Sequence, residues 1–452
     1  MLMGEWFKKG ILSVLYDLIL IYILLLMTLG FFYQGISRLF LLGAALVVLL
    51  VFLRHSNKII KVNIVAISII IFLFIYGIEF YFTYYSNENA KFADWVRKGF
   101  DTRTEIKVYD DLWQEKMLPV FNITPNILLN EGNVPEIERE GIFPLAGISQ
   151  RLTILCNETG KWAIYKSDEH GFNNPLGQYK EGIDLLLIGD SFSQGYCVEQ
   201  NETIAANLRN KFPSTISLGA GGNGEISRLA SLIEYGPTLK PKIVLWIYTE
   251  NTLGRLWGEL SNPILNKYYK IEGFNQLLFK KQTIIDRTLE KFSSRKVESY
   301  PRETFIHGFE VLNFLKFVNL RINLSRVRKD FNESETNHKK NRNSDDEIEI
   351  AQKILKKAKK TTESWGGKFY FVYLDTQYTT QGLESDHEKL IKLAKNLQLN
   401  TIDTFTAIEK VDALEIHSYK SGGHFNANGY RLVSRIIVDA LSGQQKIING
   451  SD

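Results

Sequence analysis

Apolar and polar positions divide the chain sharply near residue 85. Three apolar stretches come first, at 11–32, 39–53 and 64–78. Because a helix needs about 20 apolar residues to span the hydrocarbon core, the first stretch is long enough alone and the other two need their flanks. The pattern predicts a membrane anchor over residues 1–85 with three transmembrane helices.

Positively charged residues near these stretches favour one side of the membrane: Lys8, Lys9, Arg54, Lys58 and Lys61. Only Arg38 falls in the opposite loop. Short cytoplasmic loops collect Lys and Arg, so we expect the N-terminus inside and everything after Tyr85 in the periplasm or outside the cell, as in a protein of the bacterial plasma membrane. A cleaved signal peptide is disfavoured, because the first stretch is too long for a signal h-region and no small-residue cleavage site follows it.

The rest of the chain shows a different pattern. In residues 86–180, prolines separate short apolar pieces, which is typical of strands and loops, and 153–165 is predicted to form a hairpin. We call this segment the lead-in. Short apolar runs, typical of strands buried on both faces of a parallel sheet, follow at 184–188, 215–218, 242–248 and 368–374. Helical stretches separate them, so the sequence predicts a three-layer, flavodoxin-like α/β domain over 181–445.

An insertion of about 255–350 interrupts this predicted domain between the third and fourth strands. It is rich in aromatic and charged residues. Two placements stay open: over the carboxyl ends of the strands, where it would shape a substrate pocket, or elsewhere on the core or against a partner.

Composition excludes some classes of function. The net charge of +4 over 452 residues is small and dispersed, which argues against a nucleic-acid surface. No histidine pair with a carboxylate has metal-ligand spacing, so neither a metal nor another cofactor is predicted. The two cysteines, Cys156 and Cys197, lie in the part placed outside, where disulfides persist; a bridge and two buried thiols both stay open.

The predicted strand at 184–188 is followed by residues that are suited to catalysis. Gly189, Asp190 and Ser191 follow it directly and place a hydroxyl on a tight turn into a helix, where backbone N–H groups favour developing negative charge. Residues 185–195, Leu-Leu-Leu-Ile-Gly-Asp-Ser-Phe-Ser-Gln-Gly, resemble the first signature block of the SGNH (GDSL-like) hydrolase superfamily. The resemblance implies that Ser191 is a nucleophile.

Two further blocks of the superfamily supply the oxyanion hole. A glycine-rich turn after the second strand stands where the superfamily has its oxyanion glycine, and Gly222 fits best by spacing, with Gly221 as the alternative. The third block, usually Gly-x-Asn-Asp, reads Thr-Glu-Asn-Thr at 249–252 and keeps only Asn251. The resemblance therefore implies that the N–H groups of Ser191, Gly222 and Asn251 bind the oxyanion.

The last block contains the base. His424 lies in Ser-Gly-Gly-His-Phe-Asn-Ala-Asn-Gly-Tyr at 421–430, directly before an amphipathic stretch. Many members place an aspartate three residues before the histidine, where this chain has Ser421. A backbone carbonyl near Ser421, a distant carboxylate, or loss of activity would each explain this change, and the first two are favoured because serine, asparagine and histidine are all retained.

The layout, including segment 168–175 before the nucleophile strand, resembles membrane-anchored bacterial SGNH proteins. The resemblance implies a serine esterase or O-acyltransferase that acts on acyl, first of all acetyl, esters of an extracytoplasmic glycan or lipid-linked substrate, alongside envelope polysaccharide assembly proteins. Two alternatives stay open: an inactive glycan-binding or assembly subunit, and a membrane-associated lipase or phospholipase.

Overall fold

The structure is a computed structural model, and it describes residues 10, 58–84, 98–132, 134–249, 253–300, 344–376, 384–418 and 423–443. Contacts divide the chain into two compact units. The larger comprises Trp95–Arg302 and Arg342–Asp452, and the smaller comprises Met1–Asp94 and Glu303–Asn341. Residues 95–180 of the predicted lead-in and all strands of the predicted sheet domain therefore belong to the larger unit.

In the smaller unit, the structure describes one long helix, α1 (Lys58–Tyr84). The third predicted membrane crossing, 64–78, lies within it. Within the described ranges, no helix combines the length and the apolar character that a membrane crossing requires, so this crossing is not supported. The first two predicted crossings, 11–32 and 39–53, lie outside the described residues.

The larger unit contains two sheets. Their strands are β1 (Pro119–Phe121), β2 (Leu152–Cys156), β3 (Ala163–Lys166), β4 (Leu185–Ile188), β5 (Thr215–Ser217), β6 (Ile243–Tyr248), β7 (Lys368–Tyr373) and β8 (Asn400–Asp403). The main sheet is parallel throughout, in the order β5-β4-β6-β7-β8. This confirms the predicted parallel α/β architecture, with four strands within a residue of their predicted ends. Strand β8 was missed because only Ile402 of its four residues is buried.

The larger unit also contains helices, and some of them cover the two faces of the main sheet. In chain order they are α2 (Glu105–Gln114), α3 (Pro125–Asn130), α4 (Pro135–Glu140), α5 (Ser191–Gln194), α6 (Ile204–Arg209), α7 (Glu225–Leu239), α8 (Leu256–Ser261), α9 (Leu265–Lys270), α10 (Gln282–Ser299), α11 (Ser344–Glu363), α12 (Glu384–Asn396), α13 (Phe405–Ile408), α14 (Ala413–Ile416) and α15 (Ala427–Leu441). Short 3-10 turns occur at Gln200–Glu202, Leu253–Arg255 and Leu278–Lys280.

The alternation of side chains along each strand produces three layers. In β4, Leu186 and Ile188 face a core formed with α7, α11 and α12, whereas Leu185 and Leu187 face a second core formed with α6 and α15. All four residues are fully buried, as expected of a central parallel strand. Strand β4 is therefore packed on both faces up to the point where the candidate nucleophile begins.

The lead-in sheet joins the main sheet through a buried polar segment. Strand β2 pairs parallel with β1 and antiparallel with β3, which is the predicted hairpin. Buried Asp168 then accepts N–H groups of His170 and Phe172 at 2.8 and 2.9 Å and the Asn174 amide at 2.7 Å. Asn174 also bonds both backbone groups of Ser217 in β5, at 2.9 Å each. Segment 168–175 thus fastens the lead-in to the main sheet.

The described part of the insertion packs on a helix layer. Buried Glu234 of α7 accepts the hydroxyl of Tyr268 and the N–H groups of Gln276 and Leu278. Gln276 in turn donates to and accepts from the backbone of Phe143 in the lead-in. The described part of the insertion therefore joins α7 to the lead-in.

Candidate active site

Ser191 is the first residue of α5, at the point where buried β4 ends. Asp190 caps this helix, because its carboxylate accepts the N–H of Phe192 at 3.2 Å. A Cβ on Gly189 would collide with the side chain of Ser193, so a glycine is required there. The Gly-Asp-Ser sequence thus makes a close turn that presents the serine at the carboxyl end of the sheet, where parallel α/β folds bind ligands.

His424 lies in the loop that leads into α15. Asn426 caps that helix, with its side-chain oxygen accepting the N–H groups of Asn428 and Gly429 at 2.9 and 3.1 Å. Aromatic rings from the nucleophile segment flank the imidazole: the centroid of Phe192 lies 5.0 Å and that of Tyr196 lies 4.5 Å from it. The cap fixes the backbone and the two rings restrict the side chain.

The structure brings Ser191 and His424 together with a third residue. Ser191 Oγ lies 2.8 Å from His424 Nε2. On the other side of the ring, Nδ1 lies 3.0 and 3.1 Å from the two carboxylate oxygens of Glu158. The same carboxylate accepts the backbone N–H of His424 at 2.8 Å. The three side chains form the continuous serine–histidine–carboxylate arrangement of serine hydrolases.

Glu158 was not singled out by the sequence, which left a carbonyl near Ser421 and a distant carboxylate as alternatives. Ser421 lies outside the described residues. Glu158 is distant in sequence, 266 positions from His424, and lies in the turn between β2 and β3. Burial disfavours its charge, but the hydrogen bond and charge of His424 outweigh that effect, so the pKa of Glu158 falls below its usual value. It is therefore ionised at neutral pH.

The two cysteines form a disulfide beside this triad. Cys156 and Cys197 have an S–S distance of 2.02 Å and a Cα–Cα distance of 5.2 Å. Ligand atoms of Glu158, Cys197 and His424 lie within 4.8 Å of one another, a spacing that suits a metal ion. In this state, however, the sulfur is bonded to Cys156 and so supplies no thiolate, and His424 Nδ1 already contacts Glu158.

The glycine turn after β5 distinguishes the two candidate oxyanion donors. The N–H of Gly221 donates to Gln194 Oε1 at 2.7 Å, whereas no described residue accepts the N–H of Gly222 or that of Ser191. Gly222 has a φ of +79°, and a Cβ there would collide with the side chain of Asn126 from α3. These observations favour Gly222 over Gly221. Asn251 lies outside the described residues.

Gln194 connects the glycine turn to the lead-in. Its Nε2 donates to Asn122 Oδ1 at 2.9 Å, and its backbone carbonyl accepts the Asn173 amide at 2.9 Å. Asn223 ties the same turn to the nucleophile, because its amide donates to the carbonyl of Gly189 at 3.3 Å. Neither residue stood out in the sequence, yet together they fix the turn relative to Ser191.

A buried charged cluster lies behind the nucleophile. Asp190 accepts from Arg228 at 3.1 Å and from the Thr249 hydroxyl at 2.7 Å, and Arg255 lies 3.6 Å away. Burial disfavours the charge of Asp190, but the two guanidinium groups and the hydroxyl outweigh it, so its pKa lies below the usual value. The position of the Ser191 turn therefore depends on Arg228, whose side chain is fully buried.

The insertion also contributes to this region. Glu259 of α8 accepts the N–H groups of Gly224, Ile226 and Ser227 at 2.9, 2.8 and 3.2 Å. These N–H groups belong to the N-cap residue and the first turn of α7, which directly follows the glycine turn. Glu259 therefore caps the helix whose N-terminus supports that turn.

Other histidines do not share this arrangement. His387 pairs with Asp403 at 2.9 Å near the ends of β7 and β8. His417 is buried, with its ring 4.9 Å from that of Phe425. In the described ranges, His424 alone has a serine hydroxyl within hydrogen-bond distance of its ring.

No protein-family model and no curated protein matches this chain. Solved structures that resemble it include TesA (11% identity, TM-score 0.33, covering 58% of this chain and 99% of that one). A lipase/acylhydrolase from Enterococcus faecalis has 12% identity, a TM-score of 0.32 and coverage of 59% and 100%. A member of the lipolytic protein G-D-S-L family from Veillonella parvula has 14% identity, a TM-score of 0.30 and coverage of 58% and 99%. Likeness at this level leaves the chemistry to be inferred from the site itself.

Proposed function

We propose that this protein is a serine esterase or O-acyltransferase that forms an acyl-enzyme on Ser191. The observation that carries the proposal is the unbroken chain from Ser191 Oγ through both ring nitrogens of His424 to the Glu158 carboxylate, with contacts of 2.8 and 3.0 Å. A nucleophile, a base and a group that orients the base are the parts that nucleophilic acyl transfer requires.

The hydrogen bonds define the roles of the three residues. Ionised Glu158 accepts hydrogen bonds only, so it selects the imidazole tautomer with its proton on Nδ1. Nε2 is then free to accept the Ser191 proton while Oγ attacks the acyl carbonyl. The N–H groups of Ser191 and Gly222, together with the side chain of Asn251, would stabilise the oxyanion that forms.

Collapse of the tetrahedral intermediate breaks the ester C–O bond, and the His424 imidazolium gives its proton to the departing alkoxide. Water or an acceptor hydroxyl then attacks the acyl-enzyme, with His424 again as base. Attack by water releases a carboxylic acid, and attack by a sugar hydroxyl makes a new ester. The proposal covers both outcomes, since they share every step up to the acyl-enzyme.

We place the substrate outside the cytoplasm and infer an acyl ester of a glycan or a lipid-linked glycan. The disulfide supports this location, because disulfides persist in oxidising compartments. The apolar stretches at 11–32 and 39–53 support membrane attachment. Membrane attachment can be tested by alkaline carbonate extraction of cell membranes, and the topology by protease access to intact cells or spheroplasts.

The test of the chemistry is hydrolysis of p-nitrophenyl acetate by the full-length protein, together with labelling by a fluorophosphonate. Ser191→Ala should abolish both signals. Ser193→Ala is the matched control, because it makes the same change two residues away on the same helix, where the hydroxyl has no hydrogen-bond partner in the described structure. Loss of labelling in both variants, or in neither, would contradict the role of Ser191.

The same assays distinguish the alternatives. A folded wild-type protein that is not labelled, but binds glycans with or without Ser191, would be a binding or assembly subunit. Turnover of long-chain lipid esters without turnover of acetyl esters would identify a lipase. Transfer is distinguished from hydrolysis by adding an oligosaccharide acceptor and measuring the acylated sugar by mass spectrometry.

A further inference from the structure

We propose that the Cys156–Cys197 disulfide holds Glu158 in its catalytic position, so that the activity depends on oxidation of this cysteine pair. The inference rests on the proposed function, in which Glu158 orients His424. It makes the two cysteines positioning residues, since the sulfurs act through Glu158 and not on the substrate.

The disulfide joins the two halves of the triad. Cys156 is the last residue of β2, two positions before Glu158. Cys197 follows Tyr196, whose ring lies 4.5 Å from that of His424 and whose N–H donates to the Ser191 carbonyl at 3.0 Å. The covalent bond therefore links the segment with the carboxylate to the segment with the nucleophile and a ring that flanks the base.

The sulfur lies close enough to the triad for its position to matter directly. Cys197 Sγ, a Glu158 carboxylate oxygen and a His424 ring nitrogen all lie within 4.8 Å of one another. Cys197 itself is fully buried. Two thiols need more space than two bonded sulfurs. Reduction therefore requires the hairpin and the nucleophile segment to move apart next to Glu158.

The remaining contacts would keep the hairpin folded but would not fix its inner side. On its outer side, the turn is held by hydrogen bonds from the Asn157 amide to the Asp101 carbonyl (2.6 Å) and from the Asp101 N–H to the Gly160 carbonyl (2.9 Å). Apolar contacts among Leu155, Ala163, Tyr165 and Tyr196 hold the strands. The Glu158 side chain is 24% exposed, so water can compete for it once it is free to move.

The sequence position of the carboxylate explains the need for a tether. In the superfamily pattern, an aspartate three residues from the histidine is placed by the short loop that carries both. Here the carboxylate comes from a hairpin 266 positions away, and the sequence has Ser421 at the usual place. A displacement of about 1 Å can lower catalytic rates roughly 10²-fold, so a covalent link next to the carboxylate has a direct catalytic value.

The test compares four full-length proteins: wild type, the double variant Cys156→Ser/Cys197→Ser, Glu158→Gln, and the combination of all three changes. We expect loss of the disulfide to lower kcat about 10²-fold with little change in KM, and to move the half-height pH of the acidic limb of kcat/KM. In the Glu158→Gln background, loss of the disulfide should lower kcat less than about threefold, because the residue through which it acts is already gone. Reduction and reoxidation of the wild type should reproduce the loss and the recovery.

Two results would overturn the inference. One is a cysteine-free variant with wild-type kcat; the other is an equal fold-loss in both backgrounds, which would mean that the disulfide supports the fold and not Glu158. All assays are run well below the melting temperature of the weakest variant, which is measured by circular dichroism.

A second readout needs no turnover, so failure of the proposed function would not leave the inference untested. The Nδ1–H of His424, held by Glu158, should give a low-field proton resonance in the oxidised wild type and in Ser191→Ala. It should be lost in Glu158→Gln and on reduction. A resonance that survives reduction unchanged would show that the carboxylate stays in place without the disulfide.

Discussion

Replacing Glu158 by glutamine is the most direct perturbation of the triad. Glutamine has nearly the same shape, but one carboxylate oxygen becomes an NH₂ donor. Both oxygens are in use, since Glu158 contacts His424 Nδ1 at 3.0 Å and the His424 backbone N–H at 2.8 Å. Either the NH₂ group faces a donor, or it favours the imidazole tautomer with its proton on Nε2. That tautomer cannot accept the proton of Ser191.

The size of the effect follows from the exposure of the site. The equivalent acid-to-amide change in a serine protease triad lowers kcat about 10⁴-fold. Here the Glu158 and His424 side chains are 24% and 21% exposed, so water can partly replace the lost partner. We therefore expect a fall in kcat of about 10²–10³-fold, equivalent to roughly 2.7–4 kcal/mol in the barrier. KM should change little, because Glu158 contacts the base and not the ester.

The assay is steady-state hydrolysis of p-nitrophenyl acetate between pH 5 and 9, because histidine side chains change their charge within this range. The matched control is Glu138→Gln, which makes the same change on an exposed position of α4. Both variants are checked by thermal unfolding. A Glu158→Gln protein with kcat within about threefold of wild type across this pH range would refute the role given to Glu158.

Three further predictions concern the surroundings of the triad. Gly222→Ala adds a Cβ that collides with a neighbouring side chain, so kcat should fall at least tenfold by displacement of the oxyanion donor; Gly177→Ala, at the same φ but with open space around it, should show strain alone. Arg228→Met leaves buried Asp190 without its main partner, and chemical denaturation should show a loss of about 3–5 kcal/mol in the free energy of unfolding. Burial raises the pKa of Glu225 to about 7, against the opposing charge of Arg228. The folded pKa of Glu225 lies above the unfolded value, so the folded state binds this proton more tightly than the unfolded state. The resulting contribution to stability is complete below about pH 4.5 and is lost as the pH rises through 7. Relative to Glu225→Gln, denaturation should show a decline of about 3 kcal/mol in the free energy of unfolding between pH 4 and pH 9.

Local sequence patterns predicted the parts of the fold that local sequence determines. Buried parallel strands appear as unbroken apolar runs, so β4 to β7 were predicted within a residue at each end. Strand β8 was not, because it lies at the edge of the sheet and buries one side chain, Ile402. The serine and histidine motifs were visible because each is a continuous stretch in which a turn, a cap and a reactive side chain are neighbours in sequence.

Residues that act through long-range contacts gave no such signal. In the sequence, Arg228 is indistinguishable from a surface cation on an amphipathic helix. In the structure, its side chain is fully buried against Asp190. Gln194 distinguishes the two candidate glycines because its side-chain oxygen accepts the N–H of Gly221, a contact between residues far apart in sequence. For Glu158, the available signal was its position in a hairpin turn two residues from Cys156, which becomes informative once that cysteine is known to pair with Cys197.

The origin of the carboxylate changes the interpretation of the lead-in. The sequence pattern predicts a lead-in over 86–180 and an SGNH hydrolase-like domain over 181–445. A domain boundary near residue 180 would place Glu158 in a different domain from His424, which it contacts. It would likewise separate Asn122 from Gln194, which donates a hydrogen bond to it. In the structure, both sides of residue 180 belong to the larger compact unit, Trp95–Arg302 and Arg342–Asp452. The lead-in therefore contributes to the candidate active site: the main sheet presents Ser191, the loop before the last helix presents His424, and the hairpin presents the carboxylate that contacts the His424 ring.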